Sequence, residues 1–184
     1  MSEELVIRHC APTMANIKTA NLFSGTFADR KEMYDEVRNL NHRLKGKGIR
    51  ILPLYFDKGR GLIYVYRPGK LSRDLQSCKA CQLLKSCGYP CSEQNECLRH
   101  LMQRLKESGE FPHEIGLFLG YPPEDVDGFI NRRSECKCCG CWKVYGNVDE
   151  AQRQFARFRK CSDLYWKQWK MGKSIERLTV HAGN

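Results

Sequence analysis

At 184 residues and 41% hydrophobic composition, the chain is long enough for one compact domain with a buried core. None of its apolar runs approaches the roughly 18 consecutive residues of a membrane span. The net charge of +10 favours anionic partners, but solvated helix faces give the same balance, so charge alone leaves nucleic acid a disfavoured partner.

The first 25 residues read as a helix and loop around a short apolar piece (Leu5, Val6, Ile7) and Pro12. Glu3 and Glu4 open the chain in place of the basic start and apolar run of a secretory signal, which places the protein in the cytoplasm. Residues 31–44 form an amphipathic helix with Met33, Val37, Leu40 and Leu44 on one face, stopped by Gly46 and Gly48. Residues 49–56 and 62–67 are strand-like and joined by a five-residue, glycine-containing loop, which predicts a hairpin; Pro53 puts its first strand at an edge or bulge. Residues 71–84 and 93–106 each predict a helix, the second with Ser92 as N-cap.

In the last third, the apolar run 114–119, closed by Gly120, predicts a short strand. Residues 124–130 follow Pro122 and Pro123 and begin with two acids, as a helix N-terminus favours. Residues 142–145 predict a brief strand. Asn147, with Glu150 three residues on, opens a long helix to about residue 171. The expected architecture is a single α/β domain over residues 1–184, with a small mixed sheet covered by helices and a long C-terminal helix.

Eleven cysteines in a reducing compartment point to free, metal-bound or redox-active sulfur, more than to a disulfide framework. Cys136, Cys138, Cys139 and Cys141 form the densest group. Cys138 and Cys141 have chelate spacing around Gly140, which makes these four the candidate ligands of zinc or an iron–sulfur cluster. Lys137 and Lys143 beside them also suit thiol redox exchange. Cys78, Cys81, Cys87, Cys91 and Cys97 form a looser second group. His9 beside Cys10 is a candidate for an activated thiol, and His113 beside Glu114 for an acid–base pair, although sequence neighbours need not meet in space. The helix from Asn147 interleaves Arg153, Arg157, Lys160 and Lys167 with Phe155, Phe158, Tyr165 and Trp169, a pattern shared by base-stacking surfaces and by ordinary amphipathic helices. Common nucleotide, zincin and hydrolase signatures are absent.

Three stretches carry a resemblance: ELVIRHCAPTMANIKTANLFS from Glu4, FPHEIGLFLGYPPEDVDGFI from Phe111, and CGCWKVYG from Cys139. Together with the basic, aromatic helix ending in ERLTV, they resemble the clostridial domain-of-unknown-function family three-seven-nine-three over nearly the whole chain. The resemblance brings no assigned activity. It implies a metal or redox role in an anaerobe, with an acidic redox protein such as a flavodoxin as partner. It also moves the weight of the site toward Cys10, Cys141 and His113. The leading expectation is a metal- or redox-linked protein acting through cysteine thiolates. The alternatives are an enzyme with Cys10 as nucleophile or redox thiol and a histidine base, and a basic adaptor for nucleic acid or an acidic protein.

Overall fold

In the computed structural model, which describes residues 2–90, 93–107, 111–131 and 135–181, the chain enters its first helix almost at once. Ser2 accepts a hydrogen bond from the Leu5 amide and opens α1 (Glu3–Met14), whose first turn carries Glu3 and Glu4 where the helix dipole favours negative charge. β1 (Ala20–Thr26) follows. Asp29 then caps α2 (Arg30–Arg43): its carboxylate accepts from Glu32 N at 2.8 Å, and Glu32 accepts in return from Ala28 N. The hairpin is made by β2 (Arg50–Asp57) and β3 (Arg60–Tyr66).

That hairpin is tighter than its composition suggests. The strands run up to Asp57 and restart at Arg60, so the connection is Lys58 and Gly59 alone rather than five residues. Both have positive φ, 45° and 78°, which a two-residue turn matching strand twist requires. Pro53 sits where expected: β2 is an edge strand, and its register with β3 shifts between Pro53 and Tyr55.

The three strands order as β1-β3-β2 and every pairing is antiparallel, so the sheet is not mixed. The sequence does not announce β1, because Asn21, Ser24 and Gly25 have poor strand propensity; pairing with β3 from Ala20↔Tyr66 to Thr26↔Arg60 holds it in place. Central β3 is buried on both faces, Ile63 and Val65 toward one side and the stacked Tyr64 and Tyr66 toward the other.

The described residues fall into two compact units, one of residues 1–69 with 158–184, the other of residues 70–157. In the first, Val6, Ile7, Cys10 and Met14 of α1 and Met33, Val37 and Leu40 of α2 pack with Ile51, Ile63 and Val65 of the sheet. The later part of α8 (Val148–Lys170) adds Tyr165, Trp166 and Trp169, and α9 (Ile175–Leu178) adds Ile175 and Leu178. Asn41 of α2 lies against the edge strand, where its side chain donates to Ile51 O at 2.8 Å and accepts from Ile51 N at 2.9 Å.

Among the described residues, the regular elements of the second unit are helices and one small hairpin. Residues 71–84 are not one helix: α3 (Pro68–Gln76) and α4 (Cys78–Ser86) meet at Ser77, whose ψ of 140° breaks the helical path. α5 (Gln94–Glu107) follows, and its expected cap, Ser92, lies outside the described residues. The predicted strand at 114–119 is instead α6 (Ile115–Phe118). Ile115, Gly116, Leu117 and Phe118 are all buried, and a continuous apolar run does not distinguish a buried strand from a buried helical turn. α7 (Pro123–Ile130) precedes a hairpin of β4 (Cys138–Cys139) and β5 (Lys143–Val144). α8 then opens at Asn147, whose side chain accepts from Glu150 N at 3.1 Å. No helix of the described residues is long and apolar enough to cross a membrane.

One side chain ties the first unit together. Arg67, directly after β3, is 2% exposed. Its guanidinium donates to Thr13 O and Met14 O at the end of α1, at 2.9 and 2.6 Å, to Lys47 O at 2.6 Å, and to Val180 O at 2.8 Å. Burial lowers its pKa from the usual guanidinium value, with Tyr165 opposing that shift. Lysine keeps the charge but lacks the planar fork. Arg67→Lys is therefore expected to cost about 3 kcal/mol, because buried carbonyls lose their donors. It should appear as a lower urea midpoint with an unchanged slope; a cost below about 1 kcal/mol would show that the carbonyls find other partners.

Candidate functional site

The first turn of α7 carries the residue that organises the second unit. Asp125 is 3% exposed. One carboxylate oxygen accepts from Trp142 Nε1 at 2.7 Å, and the other accepts from Tyr145 N and Gly146 N, each at 2.7 Å. A buried carboxylate with three donors is satisfied, and here the donors all come from the β4–β5 hairpin and the residues just after it. The Trp142 ring is held on two sides, stacked on Tyr121 with centroids 4.8 Å apart and edge-on to Phe155 at 4.5 Å. Gly140 is needed for that fit, since a Cβ there would lie 2.3 Å from the Phe155 ring. Tyr121 closes the arrangement by donating its hydroxyl to Cys141 O at 3.2 Å. Burial, and secondarily Cys141, pushes its phenol up to about 12, so it stays protonated.

Between α6, α7 and this hairpin lies a cleft of about 300 Å³. Its walls are mainly Phe111, Ile115, Tyr121, Val126, Phe129 and Trp142; His113, Cys139 and Lys143 add the chemistry. His113 stands edge-on to Phe129 at 4.8 Å, and Lys143 Nζ lies 5.2 Å from the centre of the same ring. Size, aromatic walls and a few polar groups are the usual attributes of a small-molecule site. Every residue lining this cleft comes from the two stretches beginning at Phe111 and Cys139 that carry the sequence resemblance.

Glu114 does not join His113 there. It is 3% exposed, accepts from Tyr89 Oη at 2.9 Å and pairs with Arg104 Nε at 2.6 Å. Burial, and then the charge of Glu114, raises the Tyr89 phenol and the Cys87 thiol. The expected His113–Glu114 acid–base pair is thus split, one member on the cleft and the other anchoring α6 from within.

The thiols separate in a similar way. Successive strand residues face opposite sides. Cys138 packs against Val144, Ala151 and Phe155, whereas Cys139 is exposed and lines the cleft. Cys136 is partly buried and Cys141 exposed. Among the described residues no three His, Cys, Asp or Glu side chains are arranged to hold a metal ion. Cys136, Cys138, Cys139 and Cys141, the candidate ligands of zinc or a cluster, are not gathered into such a group. In the looser group, Cys81 and Cys97 line a smaller cleft of about 150 Å³, and Cys91 lies outside the described residues.

His9 and Cys10 also part. His9 is exposed and stacked on Phe23 at 5.4 Å, while Cys10 is 0% exposed among the core residues of the first unit. Consecutive helical residues point about 100° apart, which accounts for the split. Burial raises the Cys10 thiol well above its ordinary range, with Lys18 opposing, so the thiolate that the nucleophile reading needs is disfavoured. Along α8, Arg153, Arg157, Lys160 and Lys167 are exposed, while Phe155 and Phe158 are buried. Sequence reasoning missed Phe111, Tyr121, Asp125 and Phe129 as site residues, and weighed Lys143 only as a neighbour of the cysteines. Only Asp125 left a trace, as one of two acids in the first turn of an expected helix.

The chain belongs to the family described as "Protein of unknown function (DUF3793)", which matches residues 6–179. No curated protein and no solved structure matches it.

Two expectations test these assignments. Asp125→Asn places an amide donor against three N–H groups; it should cost about 3 kcal/mol in urea unfolding and diminish the near-ultraviolet circular dichroism of Trp142. A change below about 1 kcal/mol would mean the hairpin does not depend on this carboxylate. For Cys10 the folded pKa lies above the ordinary 9.0. Its contribution to stability is therefore complete below about pH 9 and declines as pH rises, because only the unfolded chain ionises there. The decline should approach about 1.4 kcal/mol per pH unit and be absent from Cys10→Val, measured as urea midpoints across that range. Identical pH slopes in the two proteins would show that Cys10 ionises in the native state.

Proposed function

We propose that this family member binds a small organic ligand in the cleft of its second unit, and that Cys139 presents a thiol to that ligand. The observation that carries this reading is the convergence of both motif stretches on one aromatic-walled cavity. Folded cores require apolar residues somewhere, but not an open concave surface with a thiol, an imidazole and an ammonium on its walls. Cys139 fits the thiol role because the strand turns it to the cleft and leaves it exposed. Cys10 fits it poorly, being sealed in the other unit's core. The redox link expected from the cysteine content is carried in this reading by Cys139 as an accessible thiol.

A second reading rests on α8. Arg153, Arg157, Lys160 and Lys167 are spaced by four, three and seven residues, which aligns them along one helical stripe. Such a stripe suits an acidic protein partner of the flavodoxin kind, with association that weakens as salt rises.

The thiol reading is tested with N-phenylmaleimide and iodoacetamide, followed by peptide mass spectrometry. The aromatic reagent is expected to label Cys139 preferentially. Its rate ratio over iodoacetamide should exceed that of exposed Cys78 by about tenfold, the order given by roughly 1.4 kcal/mol of prior binding. Equal ratios at the two cysteines would remove the cleft as a ligand site for aromatic molecules.

A further inference from the structure

Resting on the cleft reading, we infer that the ligand is a planar aromatic anion, such as an aromatic carboxylate of one or two rings. The size of about 300 Å³ lies at the lower end of small-molecule pockets, and Phe111, Tyr121, Phe129 and Trp142 offer ring faces and edges. The sign of the ligand charge follows from what the polar groups are already doing. Asp125 is the one carboxylate lining the cleft among the described residues, and both its oxygens are taken by Trp142 Nε1, Tyr145 N and Gly146 N. Its charge is thus turned toward the hairpin. Lys143 is different: it is exposed and lines the cleft, and among the described residues no carboxylate lines that wall except the occupied Asp125.

Aromatic walls by themselves also suit a quaternary ammonium, which binds ring faces. Two observations decide against that. Lys143 Nζ already lies over Phe129 at 5.2 Å, taking the ring that a cationic ligand would use. A second cation within a few ångströms of it is repelled by the like charge. An anion meets the opposite sign, and His113, edge-on to the same Phe129, can supply a ring N–H as a further donor. Cys139 and Lys143 are directly paired across β4 and β5, so they share one face of the hairpin. The carboxylate end of the ligand therefore lies beside the Cys139 thiol, with the rings deeper among the aromatic walls.

Calorimetric titration of the full chain with 2-naphthoate, 2-naphthamide and (2-naphthylmethyl)trimethylammonium separates the possibilities. The acid should bind at least tenfold more tightly than the amide, and the cation more weakly than either. The advantage of the acid should shrink with added salt. Lys143→Gln should abolish the advantage of the acid over the amide, and Lys143→Arg should retain it. Equal affinity for acid and amide, or preference for the cation, would overturn the anion assignment while leaving the cleft reading standing. Absence of binding by all three would overturn both.

Discussion

A buried guanidinium held by carbonyl oxygens is a severe constraint on a chain, because each acceptor must arrive from its own direction at hydrogen-bonding distance. Arg67 imposes that constraint on the first unit. Two of its acceptors are at the C-terminal end of α1, where free carbonyls and the negative end of the helix dipole already favour a cation. The other two come from the segment after α2 and from Val180 near the end of the chain. Val180 is also joined to α1 through its own amide, which donates to Met14 O at 3.0 Å. Distant parts of the sequence thus meet at one side chain, and the apolar packing of α1, α2, α9 and the sheet proceeds inside that frame. Arg43 repeats the arrangement at the surface by pairing with both Glu3 and Glu176, but exposure leaves such pairs worth only about 1 kcal/mol or less.

The second unit uses the opposite charge for a similar purpose. Asp125 collects donors, as Arg67 collects acceptors, and so fixes a hairpin whose two-residue strands offer little stability of their own. The cleft is a consequence of that attachment. With the hairpin drawn to α7, Trp142 is stacked on Tyr121, Lys143 lies over Phe129, and Cys139 lines the same cleft. Glu114 secures α6 through Tyr89 and Arg104. Asp125, the one carboxylate lining the cleft among the described residues, and Glu114 are thereby committed internally, while Lys143 lines the cleft exposed.

Long-period signals were legible in the sequence. The helical spacing after Asn147 extends over six turns, and the structure has a helix there; Pro53 announced an edge or a bulge, and β2 has both. Short apolar runs were not legible. Residues 114–119 lack the alternation that would settle strand against helical turn, and β1 is held by its partner more than by its own residues. Cysteine spacing was least informative, because it measures separation along the chain and not direction. Cys138 and Cys139 are adjacent yet serve different surfaces, as do His9 and Cys10, and His113 and Glu114. The cleft itself left little trace, since its rings come from the segments flanking α6, from α7 and from the hairpin, which meet only after folding.

The pairing of Asn41 with Ile51 has an effect on how the chain behaves toward its own copies. The outer edge of a sheet normally offers amides and carbonyls to whatever strand arrives next. At Ile51 the Asn41 amide has already filled both places, imitating a neighbouring strand with a single side chain. The irregularity at Pro53 and Tyr55 then spoils the spacing farther along the same edge. Intermolecular strand addition along β2, the first step toward fibrous aggregation, is therefore blocked by a helix residue and a proline instead of by a fourth strand.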